Sequence, residues 1–363
     1  MTSLFEPVTF RCGARARHRI TLAPLTNTQS GEDGVLSDDE RRWLARRAQG
    51  GFSVVETCAV HVCEDGKGFD GQLGLWADRH VDGLRALAGD LSAAGALGVV
   101  QLYHGGVRSP SRLTGVQPMS ASEFREEDPA FEVPRAATEE DLERVIAAFE
   151  AGARRAESAG FAGVELHGAH GYLLSQFLSR TMNQRTDAWG GALEGRARLL
   201  RTVTQRVRAA VSSSFLVGVR LSPEDYGYAK GLDLDETIQV ARWLAEDGVD
   251  WIHLSLWDAT RHTKKRPEEH AVPLFRAALP EDVRIVAAGK VWTPGDAEAL
   301  VAKGADMVAL GRAGILDPDW PKHAAEPGFV PERGPLTPAQ LAERAVSPRF
   351  VAYLRRFKLV AEG

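Results

Sequence analysis

Eight short apolar runs, the helical patterns between them and the lack of a glycine-rich turn after the first run predict a single (β/α)8 TIM barrel over the 363 residues. The runs are apolar on both parities, as strands buried on both faces of a parallel sheet must be. Several helical patterns open on Ser, Asp or Thr as an N-cap and close at Gly. A doubly wound sheet is the alternative, but it has fewer units and favours a glycine turn that ITLAPLTN (20–27) does not offer.

In chain order the strand runs are ITLAPL (20–25), FSVVETCAV (52–60), LGVVQLYH (97–104), GVELH (163–167), FLVGVRLS (215–222), WIHLSL (251–256), VRIVAAGKV (283–291) and MVALGR (307–312). Helical patterns between them include SDDERRWLARRAQ, VDGLRALAGDLSAAG, TEEDLERVIAAFEAGARRAESAG, ARLLRTVTQRVRAAV, LDETIQVARWLAEDG and TPGDAEALVAKGA. TFRCGARARHR is too polar for a barrel strand, so residues 1–19 are expected to form an N-terminal β-hairpin cap at the barrel's bottom. Residues 326–363 begin with the Pro/Gly-rich EPGFVPERGPLTP and lead to a C-terminal helix. No linker or repeat marks a second domain, and 1–363 reads as one.

Composition narrows the function. Hydrophobic residues make up 44% and charged residues 26%, enough for a large core. A formal charge of −5 gives no reason to expect nucleic acid or an anionic membrane, so small molecules are the expected partners, with monomer or homo-oligomer undecided. Cys12, Cys58 and Cys63 form no Cys-x-x-Cys pair, which fits a reducing cytoplasm. The first residues lack an apolar segment of signal-peptide length and no apolar run reaches membrane-spanning length, so the protein is expected to be cytoplasmic and unexported.

In a barrel of this class the active face lies at the C-terminal ends of the strands. The polar residues there are Thr26, Gln101, His104, His167, His170, Arg220, Ser255, Asp258, Lys290 and Arg312, with Gly311 beside the last. After the seventh and eighth strands, Gly289 and Gly311 free backbone N–H groups and Arg312 adds charge, the arrangement by which such barrels hold a phosphate.

The stretch VELHGAHGYLLSQFLS (164–179) holds His167, His170 and Tyr172. Residues three apart on a strand point oppositely, so the histidines converge only if the strand ends between them, which Gly168 and Gly171 make easy. Three readings stand: a metal site, which lacks an obvious third ligand; histidines satisfied in a core; or two imidazoles aimed at a substrate oxygen that gains negative charge, with Tyr172 as proton donor. The last describes reduction of a carbonyl-conjugated double bond, and needs a cofactor to carry the hydride.

HGAHGYLLSQFLS, followed by NQRTDAWGGALEGRARLL, resembles the fourth-strand signature of the old yellow enzyme family of FMN-dependent ene-reductases. The resemblance extends through APLT (23–26), VETCAV (55–60), VQLYHGG (100–106), GVRLSPEDY (218–226), GLDLDE (231–236) and VALGRAGILDPDWP (308–321). It implies noncovalent FMN, with NADPH or NADH as hydride donor and enones, enals or nitroalkenes as substrates. Ala23, Pro24, Leu25 and Thr26 would line one side of the flavin ring, and Ala59 would sit beside it. Gln101 would bind the pyrimidine edge and Arg220 would lie near N1 and O2. Ala288, Gly289, Gly311 and Arg312 would hold the phosphate. His167 and His170 would bind the substrate's oxygen, and Tyr172 would protonate the α carbon after hydride reaches the β carbon from N5.

The chain departs from the family where it reads His104-Gly105-Gly106-Val107-Arg108 for His-Ala-Gly-Arg. It also reads Glu194-Gly195-Arg196 for Glu-Asn-Arg, which is expected to loosen that loop. Its tail lacks the Arg-Gly-Trp-like ending of one subgroup, whose shared-site dimer is therefore not carried over. Asn183, Arg185, Asp187 and Arg196 are read as pinning the long fourth loop. Trp257 and RHTKKRP (261–267) are read as a solvated loop, with a substrate mouth or a nicotinamide-phosphate contact as the alternatives. Rival functions are an iron–sulfur-free relative of dienoyl-CoA reductase, a flavin-free phosphate-binding lyase or isomerase using Lys290 or Glu165 as base, and a non-catalytic flavin-binding protein.

Overall fold

The computed structural model describes residues 3–126, 128, 129 and 131–361. All eight expected runs form strands: β1 (Ile20–Leu22), β2 (Val54–His61), β3 (Leu97–Tyr103), β4 (Gly163–Gly168), β5 (Leu216–Leu221), β6 (Trp251–Ser255), β7 (Arg284–Ala288) and β8 (Met307–Leu310). They pair in parallel in sequence order, and β8 closes on β1 through Val308 opposite Ile20 and Leu310 opposite Leu22. The fold is a closed (β/α)8 barrel.

Among the described residues, seven helices of eight residues or more cover its outside: α1 (Asp38–Gln49), α2 (Val81–Ala93), α3 (Glu139–Ser158), α4 (Leu193–Ala210), α5 (Leu234–Glu246), α6 (Ala271–Ala278) and α7 (Pro294–Ala302). The expected caps form. Thr138 accepts from Asp141 N in a capping box, Thr293 does the same with Asp296, and Gly160 and Gly248 follow α3 and α5 at φ of 92° and 95°. Helix α6 is not among the patterns read from the sequence. It is short, capped by His270, and carries Pro273 in its first turn, where a missing N–H removes no intrahelical bond. No helix among the described residues is long and apolar enough to cross a membrane.

The N-terminal hairpin, Val8–Thr9 against Arg15–Ala16, plugs the barrel's bottom as expected. Phe10 packs edge-on against Trp251 at 5.5 Å between ring centroids, and Cys12 N donates to Asp250 Oδ1 at 2.7 Å. Above this apolar plug the interior turns polar: Glu56, Gln101, Glu165, Arg220 and His253 are all buried. Gly218 makes room for that layer, because a Cβ there would overlap the Trp251 indole.

Outside the strands, the buried Arg47 in the last turn of α1 donates to the carbonyls of Gly314, Ile315 and Arg344, tying α1 to the segment after β8 and to the tail. The C-terminal helix, Pro348–Leu354, packs Phe350 edge-on against Trp43 at 5.4 Å. Gly195 does not loosen the fourth loop. It sits in α4, where a Cβ would overlap the Gly190 carbonyl oxygen, so it permits a close approach instead.

Gly218→Ala is expected to displace the Trp251 indole and destabilise the barrel by about 2 kcal/mol through overpacking. A urea titration checks this as a lower midpoint at unchanged slope.

Candidate active site

Strand β4 ends at Gly168, and the chain then turns sharply. His170 adopts φ 61° and Gly171 φ 74°, where a Cβ would overlap the Tyr228 carbonyl oxygen. The break that the histidine spacing requires is therefore present, and it brings the rings together. His167 and His170 have centroids 4.9 Å apart, His167 and Tyr172 4.8 Å, and Tyr103 stacks edge-on against Tyr172 at 4.5 Å.

His167 Nδ1 accepts from Ala169 N at 3.3 Å, which puts its proton on Nε2. His170 Nε2 meets the Ser255 hydroxyl at 2.6 Å, and the same hydroxyl accepts from Arg220 Nη2 at 3.3 Å. Ser255 thus links β6 to both the fourth loop and β5.

Burial holds both imidazoles well below the ordinary histidine range. His170, Arg220 and His253 lower His167 further, and Arg220 and His253 do the same to His170. Both are neutral at neutral pH. Burial also pushes the Tyr172 hydroxyl up to about 12, with Tyr353 adding to the effect.

The strand ends enclose a cavity of about 740 Å³ that continues into a smaller one of about 190 Å³. Thr26, Ala59, Gln101, His167, His170 and Tyr172 line the larger. Ala23, Ala288, Gly289 and Gly311 line the smaller, between the loops after β7 and β8. Pro24, Leu25, Arg220 and Arg312 border both. Every residue singled out from the sequence as catalytic or cofactor-binding thus stands on the walls of one continuous space.

The groups present fit FMN. Arg220 is 7% exposed and its Nε has no hydrogen-bond partner among the described residues, so a buried cation is left with a free donor at the cavity. Gln101 Nε2 is engaged by Glu165 at 2.8 Å, leaving its carbonyl oxygen as an acceptor. At Gly311 a Cβ would meet only Leu25 Cδ2 at 3.5 Å, so this glycine is not required by protein packing and leaves backbone open toward the smaller cavity. Arg312 lies over the Trp292 ring at 5.6 Å.

Among the described residues, His167 and His170 belong to neither group of three ligand-type side chains, Cys63/Asp65/His104 and Glu56/Glu165/His253. The bases available to a flavin-free lyase are both engaged. Glu165 is fully buried under three donors, and Lys290, although at the cavity, pairs with Asp258 at 3.0 Å.

Asn183 Nδ2 donates to the carbonyls of Phe177 and Trp189, Arg185 to those of Ala121 and Ala137, and Arg196 to that of Leu178, so this set pins the fourth loop. The basic run is a mostly exposed loop, as expected, and it is tied down at its surface: Lys264 donates to the Asp225 carbonyl, and Lys265 and Arg266 pair with Asp233 and Asp235. Trp257, 62% exposed, does border the larger cavity.

The sequence reading missed the tail's share of the site. Tyr353, Leu354, Phe357 and Leu359 line the larger cavity, and the Tyr353 hydroxyl interacts with Thr26. The one signal for it was the aromatic spacing of RFVAYLRRFKL (349–359). Arg108 carries an ion pair with Glu126 at 2.6 Å and lies between the rings of Phe131 and Tyr228, which makes it a brace between the loops after β3 and β5.

Residues 3–327 match the family model described as NADH:flavin oxidoreductase / NADH oxidase family. The chain is 38% identical over 325 residues to a probable NADH-dependent flavin oxidoreductase of Bacillus subtilis (strain 168), covering 87% of this chain and 86% of that one. It is 34% identical over 329 residues to the NADH:fumarate oxidoreductase of Klebsiella pneumoniae (strain 342), covering 87% of this chain but 35% of that larger protein. An old yellow enzyme homologue from Zymomonas mobilis has the same fold at TM-score 0.83 and 28% identity, covering 96% of this chain and 98% of the other. The chain belongs to the NADH:flavin oxidoreductase / NADH oxidase family and is an FMN-dependent oxidoreductase of the old yellow enzyme type that takes electrons from NADH or NADPH.

Proposed function

We infer that this enzyme reduces the activated C=C bond of α,β-unsaturated carbonyl or nitro compounds. The observation that carries the reading is the pairing, in one cavity, of an imidazole whose Nδ1 accepts a backbone N–H, which leaves Nε2 as the donor, with a tyrosine, their rings 4.8 Å apart. FMN, when bound, supplies the two-electron chemistry: hydride uptake from NADH or NADPH and hydride delivery from N5 to an electron-poor alkene carbon.

The chain's residues do the rest. His167 Nε2–H, with His170 beside it, faces the carbonyl or nitro oxygen and stabilises the negative charge that develops there once the β carbon has accepted hydride. Neutral imidazoles serve this well, because each binds the oxygen through an N–H that it does not give up, which leaves protonation to Tyr172. Tyr172 holds the proton that completes the addition and gives it to the α carbon; solvent restores it. Arg220, which lines the cavity, would by the family resemblance lie near the ring's N1, where a fixed guanidinium would offset the charge gained on reduction. Tyr228, Trp257 and Phe357 line the same cavity, which suits a flat and largely apolar substrate. Fumarate, named in one relative, also carries a C=C bond conjugated to carbonyl carbon.

Tyr172→Phe is expected to slow flavin reoxidation by a cyclic enone by about 100-fold or more, with flavin reduction by NADH or NADPH nearly intact. Anaerobic stopped-flow absorbance follows the two half-reactions separately, and equal loss in both removes Tyr172 from the proton-donor role. His167→Ala is expected to weaken binding of the enone by about tenfold, roughly one hydrogen bond of about 1.4 kcal/mol, as read by flavin absorbance titration.

The pH dependence has a definite sign. Tyr172 acts in its protonated form, and its hydroxyl is raised to about 12, so the reoxidation rate stays level through neutral and mildly alkaline pH and falls only as pH approaches that value. A pH series of the reoxidation rate with one enone shows this as a plateau; a fall beginning near the ordinary tyrosine pKa of about 10 contradicts it.

A further inference from the structure

Two carboxyl groups face each other in the barrel interior below the cavity, and all the strong donors go to one of them. Glu165 accepts from Gln101 Nε2 at 2.8 Å, Trp251 Nε1 at 3.1 Å and His253 Nδ1 at 2.8 Å. Glu56 is 1% exposed, and among the described residues no nitrogen or hydroxyl donor reaches either of its oxygens. His253 Nδ1 is 3.7 Å away and already committed to Glu165. One ligand-type atom from each of Glu56, Glu165 and His253 lies within 4.8 Å of those of the other two. The groups facing Glu56 are thus Glu165 from β4, Arg220 from β5 and His253 from β6.

In such a site two carboxylates cannot both stay ionised, and the proton belongs on the one without donors. We propose that Glu56 is a positioning residue, held as a neutral acid that hydrogen-bonds Glu165, so that the Arg220 guanidinium faces one interior carboxylate rather than two. This charge count sets how readily the cofactor bound against Arg220 accepts two electrons. With both carboxylates ionised, the interior would carry one net negative charge under a ring that must itself become more negative. With Glu56 protonated, Glu165 and Arg220 balance. Burial and the neighbouring Glu165 push the Glu56 carboxyl well above the usual range against the pull of Arg220. Burial would raise Glu165 too, but His253 and Arg220 outweigh it and hold that group below the usual value. The inference rests on the placement of Arg220 beside the ring's N1 edge.

The test is carried out on the FMN-loaded enzyme with Glu56→Gln and Glu165→Gln, using infrared spectra and the two-electron potential of the bound flavin. Glutamine matches the neutral acid in shape and can donate to Glu165 in its place. The wild type is expected to show a protonated-carboxyl stretch that Glu56→Gln removes, while the potential of Glu56→Gln at neutral pH stays at the wild-type value. Glu165→Gln removes the interior's one negative charge, and the equilibrium for flavin reduction is expected to rise at least tenfold, about 30 mV upward for a two-electron couple. A protonated-carboxyl band that survives Glu56→Gln overturns the proposal. So does a Glu56→Gln potential raised as far as that of Glu165→Gln, which would mean Glu56 carried charge. If the band vanishes as expected but Glu165→Gln leaves the potential unmoved, the placement of Arg220 fails and the link to the cofactor falls with it. The infrared readout on Glu56→Gln stands even if Glu165→Gln does not fold.

Discussion

The interior of this barrel is held in register by one carboxylate. Glu165 gathers donors from β3 and β6, two strands that do not touch each other, and it stands on β4 between the plug below and the cavity above. A buried charge with this many partners fixes the directions of Gln101, Trp251 and His253 together. Glycine at position 218 is the steric counterpart, since the Trp251 indole reaches Glu165 only across a strand with no side chain at that point.

Around the cavity, neutral and charged groups are kept apart by what each can reach. Arg220 retains its charge because the Glu165 carboxylate faces it, whereas His167 and His170, buried near the same guanidinium, are driven to the neutral form. One cation and two uncharged N–H donors therefore share a small volume. The first suits a site that gains electrons, and the others suit a site that binds an oxygen without protonating it outright. Ser255 touches both and keeps their spacing.

The fold was legible because parallel strands buried on both faces announce themselves as apolar runs, and because Thr138 and Thr293 cap their helices through contacts only three residues long. The walls of the site were legible for a related reason: in this architecture the ends of strands are the active face, so linear position maps onto depth. What escaped depends on contacts distant in sequence. Ser255 and His170 are 85 residues apart, and no local pattern joins them. The tail reaches the cavity by packing against α1, and its aromatic residues look like those of any surface helix. Helix α6 was lost to its proline and its short span. Glu56, inside an otherwise apolar run, gave no sign of its partner on β4.

The turn at His170 has a consequence for how this site can vary among descendants of the same ancestor. At φ 61° most side chains are strained, while Asn, Asp and His tolerate the conformation best. The backbone therefore filters the position before chemistry does: glycine, Asn, Asp and His fit the turn best, and of these histidine and asparagine offer an uncharged side-chain N–H. An oxygen-binding group at this position thus meets a conformation that already narrows the choice of side chain, and the turn constrains the chemistry it carries.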